Sequence, residues 1–422
     1  METIADLHIH GKYSRGCSKQ LIFENLEKYA KIKGINLLGT GDFTHPKWFN
    51  EIKTKLKNDG EGIYRTKTNF PFILQTEYSL VYTQNKKGRR IHLVILAPNL
   101  EIVEQINEEM KKIGRVDYDG RPIFNLNCVE FTEKMMNISK DIIIIPAHIW
   151  TPWFSLFGSK SGFNSLKECF MEQTKNIHAI ETGLSSDPQM NWRIKELDKY
   201  SILSFSDSHS FWPYRIGREA TVFNIKLSYK NLANAIKKQK NIKETIEVDP
   251  NYGKYHLDGH RKCNVKFYPN QSKNNNNICP VCKKPLTIGV LQRIEELANR
   301  DEKYIDKNRP KFKILMPLQE IISNIKNKGI LTKTVWQEYY KILKIGKNEN
   351  DVLLNVSKKE LLKQTDEKIA NAIILNREQK IIVSSGYDGV YGKPLFTKEE
   401  IKKNEEQKIQ SIFSKQKTIN NF

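Results

Sequence analysis

The segment TIADLHIH, residues 3–10, alternates polar and apolar side chains from Asp6 onward and ends in two histidines one residue apart. Alternation of this kind predicts a β-strand, so His8 and His10 stand at its carboxyl end. Two imidazoles at one strand end indicate a metal site, because neutral imidazole is a common ligand of metal ions. A metal site needs further ligands, and the rest of the sequence supplies candidates for them.

The composition is that of a globular protein with an excess of positive charge. The 422 residues are too many for one ordinary core and predict two or three domains. The net charge of +21 favours a polyanionic partner such as nucleic acid, although Lys and Asn are abundant throughout, including the run at 274–277. Six cysteines, three of them clustered late in the chain, fit a metal site in a reducing compartment better than a disulfide framework.

Up to about residue 250, strand-like and helix-like segments alternate. A helix is predicted from about Lys19 to Lys33, with Ser18 as its N-cap and Gly34 at its end. Repeated βα units with apolar strands indicate a parallel sheet covered by helices, and their number indicates a closed α/β barrel over residues 1–250. A second helix is predicted over 101–113, and strands are predicted over 35–40, 72–75, 92–96, 141–145, 177–180 and 201–205.

Beyond residue 250 the pattern changes. Residues 251–290 are rich in Gly, His, Cys, Asn and Pro and predict a small module held together by a metal. Residues 291–398 contain long amphipathic stretches, such as 331–343, and predict a mainly helical domain that binds DNA. Residues 399–422 form a polar tail that is expected to be a solvated helix or disordered.

Six short motifs place histidines or carboxylates at or just after predicted strand ends, where a βα barrel builds its active site. A lone histidine in an apolar strand, such as His92, is more often a hydrogen-bonded core residue, but most of the nine histidines fall in these motifs. Clustered imidazoles and carboxylates indicate a multinuclear Zn, Mn or Fe site that activates water for attack at phosphorus. The candidate ligands are His8, His10, Asp42, His45, Glu77, His92, His148, Asp207 and His209.

These motifs resemble those of the PHP (polymerase and histidinol phosphatase) superfamily, whose members are distorted seven-stranded βα barrels, (β/α)7, with up to three metals. The resemblance implies catalytic roles for Asp207, Glu77 and His209. It also implies that one metal is held by His8, His10, Glu77 and Asp207. A second metal would be shared by Glu77, His92 and His148, and His209 would serve a third.

The sequence departs from the superfamily pattern at two places. Arg15 stands where the superfamily commonly has an aspartate, five residues after the second histidine of the first motif. GDFTH, residues 41–45, replaces the usual Thr-Asp-His, so Asp42 or His45 must substitute. Arg15 either weakens the third metal or places a positive charge beside a substrate phosphate.

A second set of ligand-type residues lies between 255 and 282. HRKC, residues 260–263, and CPVC, residues 279–282, have a spacing that resembles a zinc ribbon, in which two knuckles present four ligands tetrahedrally. The alternative is a pair of unrelated reduced cysteines. The predicted ligands of this structural zinc are His260, Cys263, Cys279 and Cys282, with His256 as an alternative to His260.

The order of these segments narrows the resemblance. A PHP-like barrel that contains YRIGREATVF (214–223), then GKYHLDGHRKC (253–263), CPVCKKPLTIGV (279–290) and GYDGVYG (386–392), is similar to the endonuclease Q family over nearly the whole chain. The resemblance implies a metal-dependent DNA repair endonuclease. Its substrate would be double- or single-stranded DNA, cut on the 5′ side of deaminated bases (uracil, hypoxanthine, xanthine) and of abasic sites, leaving a 3′-hydroxyl.

Recognition of a deaminated base in a duplex requires the base to be flipped into a pocket. We expect Glu181, Ser185 and Asn191, which follow a predicted strand on the metal-bearing rim, to line this pocket, with loop capping as the alternative. Trp150 and Trp153 come directly after a candidate ligand and are predicted to enter the base stack or to line the pocket.

Other residues near these motifs have more ordinary expected roles. Phe154 and Phe157 are expected to pack on the barrel. Arg215, Arg218 and the basic run at 86–90 are candidates for phosphate contacts, with solvated surface charge as the alternative for each lysine.

Two other functions fit parts of the sequence. A PHP-type phosphatase of small phosphomonoesters, such as histidinol phosphate, would need the barrel motifs but not the zinc module, the helical domain or the basic charge. A non-catalytic DNA-binding repair factor would keep its metals for folding only. The intact Asp207 and His209 argue against the second possibility.

The same reasoning gives expectations for cofactors, partners and location. Zinc is expected in the structural site and in the active site, where Mg²⁺ or Mn²⁺ are alternatives. A monomer is expected, with a sliding clamp or another repair protein as a candidate partner. No apolar run reaches the length of a membrane span and the first residues lack a secretory pattern, so a cytoplasmic location is expected.

Overall fold

The computed structural model of the chain describes residues 2–413, with the side chains of residue 398 and of 407–413 excluded. The first part consists of β1 (Glu2–Asp6), α1 (Phe23–Lys33), β2 (Leu37–Gly39), α2 (Pro46–Lys55), β3 (Lys57–Asn58), β4 (Tyr64–Arg65), β5 (Pro71–Gln84), β6 (Lys87–Ala97) and α3 (Leu100–Ile113). The next elements are β7 (Ile123–Phe124), α4 (Cys128–Ile138), β8 (Ile143–Pro146), α5 (Leu166–Phe170), β9 (Ala179–Glu181), α6 (Pro188–Trp192), β10 (Ser201–Leu203), β11 (Ala220–Asn224), α7 (Tyr229–Lys238) and β12 (Ile242–Glu247).

The remaining elements begin after residue 250. They are β13 (Asp258–His260), β14 (Val265–Phe267), α8 (Pro269–Asn274), α9 (Val290–Leu297), β15 (Lys311–Ile314), α10 (Leu318–Lys326), α11 (Lys333–Leu343), α12 (Glu349–Leu354), α13 (Lys358–Gln364), α14 (Glu367–Arg377), β16 (Ile382–Ser384), β17 (Lys393–Leu395) and α15 (Lys398–Phe413). No helix among the described residues has both the length and the apolar composition that crossing a membrane requires. The predicted polar tail is helical as far as Phe413, and residues 414–422 lie outside the described part.

Seven strands form a distorted closed barrel in the order β1, β2, β5, β6, β8, β9, β10. The β1, β2 and β5 strands are parallel neighbours, and β9 is parallel to β10. Fewer hydrogen bonds join the less regular edges. Ile149 N donates to Glu181 O at 3.1 Å, His10 N donates to Ser208 O at 2.9 Å, and Ser208 N donates to His8 O at 3.4 Å. The predicted α/β barrel is therefore confirmed.

The predicted parallel sheet is mixed, because β6 runs antiparallel to both β5 and β8. The predicted short strands at 72–75 and 92–96 are parts of one long hairpin, which turns at Asn85 and Lys86 with positive φ angles of 55° and 60°. Two consecutive left-handed residues suit the right-handed twist of the flanking strands. In this register Ser79 faces His92, so Glu77 and His92 are diagonal neighbours on one face.

The barrel interior is apolar below the strand ends. Ala5, Leu7, Ile73, Val94 and Ile145 belong to one buried cluster, each 0–1% exposed. Because side chains alternate along each strand, the next residues toward the carboxyl ends bring polar groups to the rim of this core. The candidate site therefore has a rigid apolar floor.

Two boundaries differ from the sequence-based expectation. Helix α1 begins at Phe23 rather than Lys19, and the Ser18 hydroxyl caps a turn by accepting from Gln20 N, whereas Gly34 ends the helix in a left-handed conformation as predicted. Strand β15 pairs in parallel with β12, so residues 311–314 extend the barrel sheet. The helical bundle α10–α14 consequently starts at Leu318 and not at residue 291.

The bundle is joined to the barrel by a buried polar contact. Lys33 Nζ at the end of α1 donates to Glu349 Oε1 at 2.6 Å, and both side chains are at most 3% exposed. The second carboxylate oxygen accepts from Tyr339 Oη at 2.6 Å, and Leu318 N donates to Oε1 at 3.0 Å. One carboxylate therefore links α1, α10, α11 and α12.

Candidate metal centre

Glu77 lies at the centre of two adjoining groups of ligand-type atoms. The first group is His8, His10, Glu77 and Asp207, whose ligand atoms all lie within 4.8 Å of one another. His10 Nε2 is 3.0 Å from Asp207 Oδ1 and 3.4 Å from Glu77 Oε2, and His8 Nε2 is 3.6 Å from Glu77 Oε1. Ligands of a tetrahedral ion with bonds near 2.1 Å are about 3.4 Å apart, so this group fits one metal.

The second group shares Glu77 with two further histidines. His92 Nδ1 is 2.8 Å and His148 Nε2 is 3.4 Å from Glu77 Oε1, and the two ring nitrogens are 3.2 Å apart. The Ser155 hydroxyl lies 3.1 Å from His148 Nδ1 and positions the other side of that ring. A carboxylate common to two such groups is the arrangement that a pair of metals with a bridging ligand requires.

Three candidate residues have a backbone conformation that is uncommon outside glycine. The φ angles of Asp42, His148 and Asp207 are 35°, 31° and 47°. Such conformations cost free energy and persist where the surrounding structure enforces them, often at functional sites. At His148 the neighbouring loop also requires Gly183, because a Cβ there would lie 2.4 Å from the His148 Cβ.

Burial and mutual charge set the protonation states of the site. Burial raises the pKa of Glu77, but the charges of His92 and Arg121 outweigh it and lower that pKa well below its usual value. Burial lowers the pKa of His92 to about 4, although Glu77 acts against the shift. The carboxylate is therefore ionised and His92 is neutral at neutral pH, which are the states that metal ligation needs. Although burial acts against the shift, nearby carboxylates raise the pKa of His10 to about 9 and that of His8 well above its usual value, so metal binding has to displace a proton from each of these two rings.

The site opens into a cleft of about 880 Å³. Its lining includes the candidate ligands His92, His148, Asp207 and His209, together with Ser185, Trp153, Phe154, Tyr255 and Tyr391. Five basic residues also line it: Arg90, Arg121, Arg215, Arg218 and Lys254. Asp207 is the one acidic residue of that lining in the described part of the chain, so the cleft suits an anionic ligand.

A family model and two known proteins are similar to this chain. The family model described as the MJ0043 C-terminal domain matches residues 317–380, within the helical bundle. The protein MJ0043 of Methanocaldococcus jannaschii is 37% identical over 299 residues, which are 69% of this chain. Because this match covers 36% of MJ0043, the chain corresponds to about a third of that relative's length. The protein YqxK of Bacillus subtilis is 29% identical over 92% of this chain and 98% of its own length.

Solved structures match over nearly the full length. The lesion-specific endonuclease PfuEndoQ of Pyrococcus furiosus is 32% identical, with a TM-score of 0.84, 95% of this chain covered and 97% of that chain covered. This chain belongs to the endonuclease Q family. A second endonuclease Q structure, a complex with a 27-mer duplex that carries an abasic lesion at the active site, is 33% identical with a TM-score of 0.85 over 94% of this chain and 98% of that chain. The sequence-based assignment to a family of metal-dependent DNA endonucleases is thereby confirmed.

In this endonuclease Q fold, Glu181 does not line the base pocket as predicted. It is fully buried, and its carboxylate accepts from His8 Nδ1 at 2.9 Å and from His148 N at 2.7 Å. With Nδ1 donating, His8 turns Nε2 toward Glu77 and Asp207. Carboxylates in this position orient metal-binding histidines and raise their basicity.

Asp42 has the same relation to His10. His10 Nδ1 donates to Asp42 Oδ1 at 3.1 Å, and Asp42 Oδ2 accepts from Gly11 N and from the Ser14 hydroxyl, each at 2.5 Å. Both oxygens are used within the protein, so Asp42 is placed to orient His10 rather than to bind a metal. This differs from its predicted role as a ligand.

The other residues predicted for a third metal are not brought together. The His45 ring stacks on Tyr13 at 4.4 Å between centroids. His209 Nδ1 donates to Asp207 O at 3.1 Å and lies outside both ligand groups, and the exposed Arg15 donates from its backbone N to Asp119 Oδ1. Among the residues that the structure describes, His45 and His209 therefore belong to neither ligand group, and both oxygens of Asp42 are used in protein hydrogen bonds.

Asn191 and Trp150 lie away from the cleft, contrary to the sequence-based expectation. Trp150 Nε1 donates to Asn191 Oδ1 at 2.8 Å, and the two side chains are 1% and 0% exposed. Trp150 also packs against Phe157, which is fully buried in the core as expected. Trp153 does line the cleft, where its ring meets Tyr255 edge-on at 5.7 Å.

The predicted phosphate contacts divide into two classes. Arg90 and Arg215 line the cleft, whereas Arg89 packs on the Phe163 ring and donates to the carbonyl oxygen of Gly162. Arg218 lines the cleft, but its Nε and Nη2 both donate to Ser206 O, at 3.3 and 3.1 Å. This contact holds Arg218 beside the Asp207 loop.

Sequence reasoning missed Arg121, which enters the metal centre. Its Nη1 lies 2.9 Å from Glu77 Oε2, across 44 residues of sequence. The residue stands in a loop between α3 and β7 that contains no histidine or cysteine. A local signal was present only in the Gly-Arg-Pro sequence at 120–122, since Gly and Pro mark a constrained loop.

The zinc-ribbon residues form a separate compact group. Ligand atoms of His260, Cys263, Cys279 and Cys282 lie within 4.8 Å of one another, with Cys282 Sγ 3.4 Å from His260 Nδ1. His256, the alternative ligand, lies outside this group. The β13–β14 hairpin carries His260. Ile278 pairs with Pro285, and Cys279 N donates to Lys284 O at 2.8 Å, which closes the turn that carries Cys279 and Cys282. Two thiol-bearing turns and one histidine in this arrangement fit a closed structural metal site.

Proposed function

We propose that this chain is a DNA repair endonuclease that cuts the backbone on the 5′ side of abasic sites and of deaminated bases. The observation that carries the proposal is the joining, in one cleft, of two metal-ligand groups with five basic residues. The likeness to the endonuclease Q complex with an abasic lesion at its active site supports it. Basic residues around two metal-ligand groups favour binding of a nucleic-acid backbone and hydrolysis of one of its phosphodiester bonds.

The metals would be held by the two groups that share Glu77. When bound, they would lower the pKa of a shared water and neutralise charge on the scissile phosphate. Glu181 and Asp42 accept hydrogen bonds from Nδ1 of His8 and His10, so that Nε2 of each ring faces the ligand group. Glu77 bridges the two ligand groups, and Asp207 is the carboxylate that reaches the cleft, with 31% of its side chain exposed.

His209 completes the catalytic set. Its Nδ1 donates to Asp207 O, so Nε2 carries the lone pair on the neutral ring and can accept a hydrogen bond from the attacking water. Burial lowers the pKa of His209, which keeps the ring neutral near pH 7. In this role His209 acts on the water and is not a metal ligand.

Lesion recognition would use the same cleft. An abasic nucleotide needs only space and backbone contacts, whereas a deaminated base presents a carbonyl oxygen where an amino group stood before. The Ser185 hydroxyl at the cleft can donate to such an oxygen, and Trp153 and Tyr255 offer ring faces and edges for the flipped base. Uracil, hypoxanthine and xanthine all carry the required carbonyl.

The direct test uses duplex oligonucleotides that carry one abasic site, deoxyuridine, deoxyinosine or deoxyxanthosine. Each is incubated with the protein and Zn²⁺, Mg²⁺ or Mn²⁺, beside an Asp207→Ala variant and an undamaged duplex. We expect a nick immediately 5′ of the lesion, leaving a 3′-hydroxyl, that is absent from both controls.

Other outcomes would assign the chain to the alternatives. Release of phosphate from small monoesters without nicking indicates a phosphatase. Tight binding to lesion DNA without cleavage under any metal indicates a non-catalytic repair factor. A clamp partner, a monomeric state and a cytoplasmic location stay predictions of the sequence.

A further inference from the structure

We propose that Arg121 is a further catalytic residue, whose guanidinium donates to a non-bridging oxygen of the scissile phosphate and stabilises the charge that develops there. The inference rests on the proposed endonuclease activity.

The contact with Glu77 places Arg121 at the reacting centre. Glu77 is fully buried between the two ligand groups, whereas 27% of the Arg121 side chain is exposed and faces the cleft. One donor, Nη1, lies 2.9 Å from Glu77 Oε2. A guanidinium has five N–H donors in a planar fork, so donors remain for an oxyanion entering from the cleft.

The backbone around Arg121 is held tightly. A Cβ on Gly120 would lie 2.2 Å from the Ser14 hydroxyl and 2.5 Å from Asp42 Oδ2, so only glycine allows this approach. Gly120 N donates to Tyr13 O at 3.2 Å, and Arg121 N donates to Asp119 Oδ1 at 3.1 Å. Preorganised donors of this kind stabilise a transition state without reorganisation during the reaction.

The other basic residues of the cleft are placed differently. Two N–H groups of Arg218 donate to Ser206 O. The guanidinium of Arg215 lies over the Tyr214 ring, and that of Arg90 lies over the Phe154 ring. Among the basic residues that line the cleft in the described part of the chain, Arg121 is the one ion-paired with a candidate metal ligand. The others are therefore suited to the flanking backbone phosphates.

Metal binding would change the partners of Arg121. Glu77 is the ionised carboxylate that Arg121 neutralises in the absence of metals, and metals bound to Glu77 would take over that role. The guanidinium would then be released toward the incoming phosphodiester while the loop holds its position. Bidentate contacts between guanidinium and phosphate are among the strongest charge-assisted hydrogen bonds.

The reaction step balances as a hydrolysis. The oxygen of water bonds to phosphorus, the bond between phosphorus and the 3′ oxygen breaks, and the leaving 3′ oxygen takes one proton of the water. The products are a 3′-hydroxyl and a 5′-phosphate. Arg121 neither gains nor loses a proton, and it binds the extra negative charge on the equatorial oxygens.

The test compares Arg121→Gln and Arg121→Lys with the wild type and with Arg115→Gln. Arg115 is a matched control because it lies in the same loop, pairs with Asp117 and has 74% of its side chain exposed. Three quantities are measured for each protein: the single-turnover rate of cleavage of the abasic duplex, the metal content, and the affinity for DNA in the absence of metal. We expect Arg121→Gln to cut roughly 100–1,000-fold more slowly, as for the loss of an oxyanion donor. Its metal content and metal-free DNA affinity should equal those of the wild type, and Arg121→Lys should be intermediate.

A sulfur substitution distinguishes catalysis from a structural role. In the substrate, sulfur replaces one of the two non-bridging oxygens of the scissile phosphate, which gives two diastereomers. We expect the wild type to cut one diastereomer more slowly than the other. We expect Arg121→Gln to cut both diastereomers at equal rates. Loss of metal from Arg121→Gln, an unchanged rate, or an unchanged sulfur effect would overturn the inference. If the wild type cuts no lesion duplex, the proposed function fails instead, so the two failures are distinguishable.

Discussion

His8 Nδ1 donates to Glu181 at 2.9 Å across 173 residues of sequence, in a contact where both side chains are fully buried. The second carboxylate oxygen of Glu181 accepts from His148 N at 2.7 Å, so one carboxylate serves both candidate metal groups. The hydrogen bond determines which nitrogen of His8 is available to a metal. Outer-sphere contacts of this type make a large contribution to metal affinity.

We therefore expect Glu181→Gln to weaken metal binding by about 10–100-fold, because a neutral amide lacks the negative charge that strengthens the hydrogen bond to His8 and raises the basicity of its ring. The measurement is competition with a chromophoric chelator at fixed pH. Glu133→Gln, at an exposed position on α4, is the control and should bind as the wild type does. Equal affinities for Glu181→Gln and the control would show that the hydrogen bond does not tune the metals.

Ser185 lines the cleft, and under the proposed function we expect it to separate deaminated bases from abasic sites. We expect Ser185→Ala to lose cleavage of the deoxyuridine duplex while it retains cleavage of the abasic duplex, since only the base presents a carbonyl to the hydroxyl. Rates on the two substrates are compared under single-turnover conditions. Ser186→Ala is the matched control, because that hydroxyl donates to Thr182 O inside the protein. Parallel loss of both activities in Ser185→Ala would contradict base reading by Ser185.

The arrangement of the zinc-ribbon residues predicts that His260, and not His256, is the histidine ligand. Cys279→Ser and His260→Gln should each lose one equivalent of zinc per chain, because a closed four-ligand site depends on every ligand. His256→Gln should keep it, since His256 lies outside the group. Metal content by mass spectrometry is the measurement, and proteolysis around residues 253–290 should accelerate only in the variants that lose zinc. Zinc loss in His256→Gln with retention in His260→Gln would reverse the assignment.

The buried pair Lys33 and Glu349 should matter strongly for stability. Glu349→Ala leaves the Lys33 ammonium buried without its partner and is expected to lower the free energy of unfolding by about 3–5 kcal/mol. In the double variant Lys33→Met/Glu349→Ala the cost should be smaller than the sum of the single costs, because no uncompensated charge remains. Urea denaturation provides these values.

The exposed pair Lys380 and Glu378 is the control for that cycle. Their side chains are 66% and 46% exposed, so Glu378→Ala should change stability by only about 0–1 kcal/mol. A comparable loss in both variants would mean that burial of the Lys33 pair is not the cause.

A fully buried carboxyl predicts part of the pH dependence of stability. Glu247 accepts from Ser204 Oγ at 2.9 Å and from Thr245 Oγ1 at 2.5 Å, and burial raises its pKa to about 8. The folded protein therefore binds a proton that the unfolded chain has already released above its pKa of about 4.3. The resulting contribution to stability is complete below that pH and is lost as the pH rises toward 8.

Glu247→Gln removes this titration. We expect its stability relative to the wild type to increase steadily from pH 5 to pH 8, measured as the free energy of unfolding in urea. Glu133→Gln serves again as an exposed control whose difference from the wild type should not vary with pH in this way. A pH-independent difference for Glu247→Gln would show that the carboxyl does not titrate in this range.

Local patterns in the sequence predicted several features well. The strand before His8, the end of α1 at Gly34 and the helix over Leu100–Ile113 follow from alternation, a left-handed glycine and amphipathic spacing. The Cys and His spacing around the zinc ribbon is equally local, because each knuckle spans four residues. Short-range signals of this kind depend little on the rest of the fold.

Apart from the start of α1, which begins at Phe23 rather than Lys19, the errors and omissions concern partners that are distant in sequence. Periodicity identifies β5 and β6 as strands but contains no information on their antiparallel pairing, which sets Glu77 diagonal to His92. It also cannot show that Asn191 bonds to Trp150 inside the core. A polar residue near a rim has the same sequence appearance whether its side chain faces the cleft or the interior.

The sequence alone therefore determined which chemistry is available: paired histidines, carboxylates at strand ends, a set of four metal-ligand residues and a basic chain. The tertiary structure alone decided how those groups are used. It turned Glu181 and Asp42 into acceptors that orient His8 and His10, and it brought Arg121 to Glu77. The physical reason is that metal binding and proton placement depend on distances of about 3 Å, and only closure of the barrel brings residues so far apart in the chain to that separation.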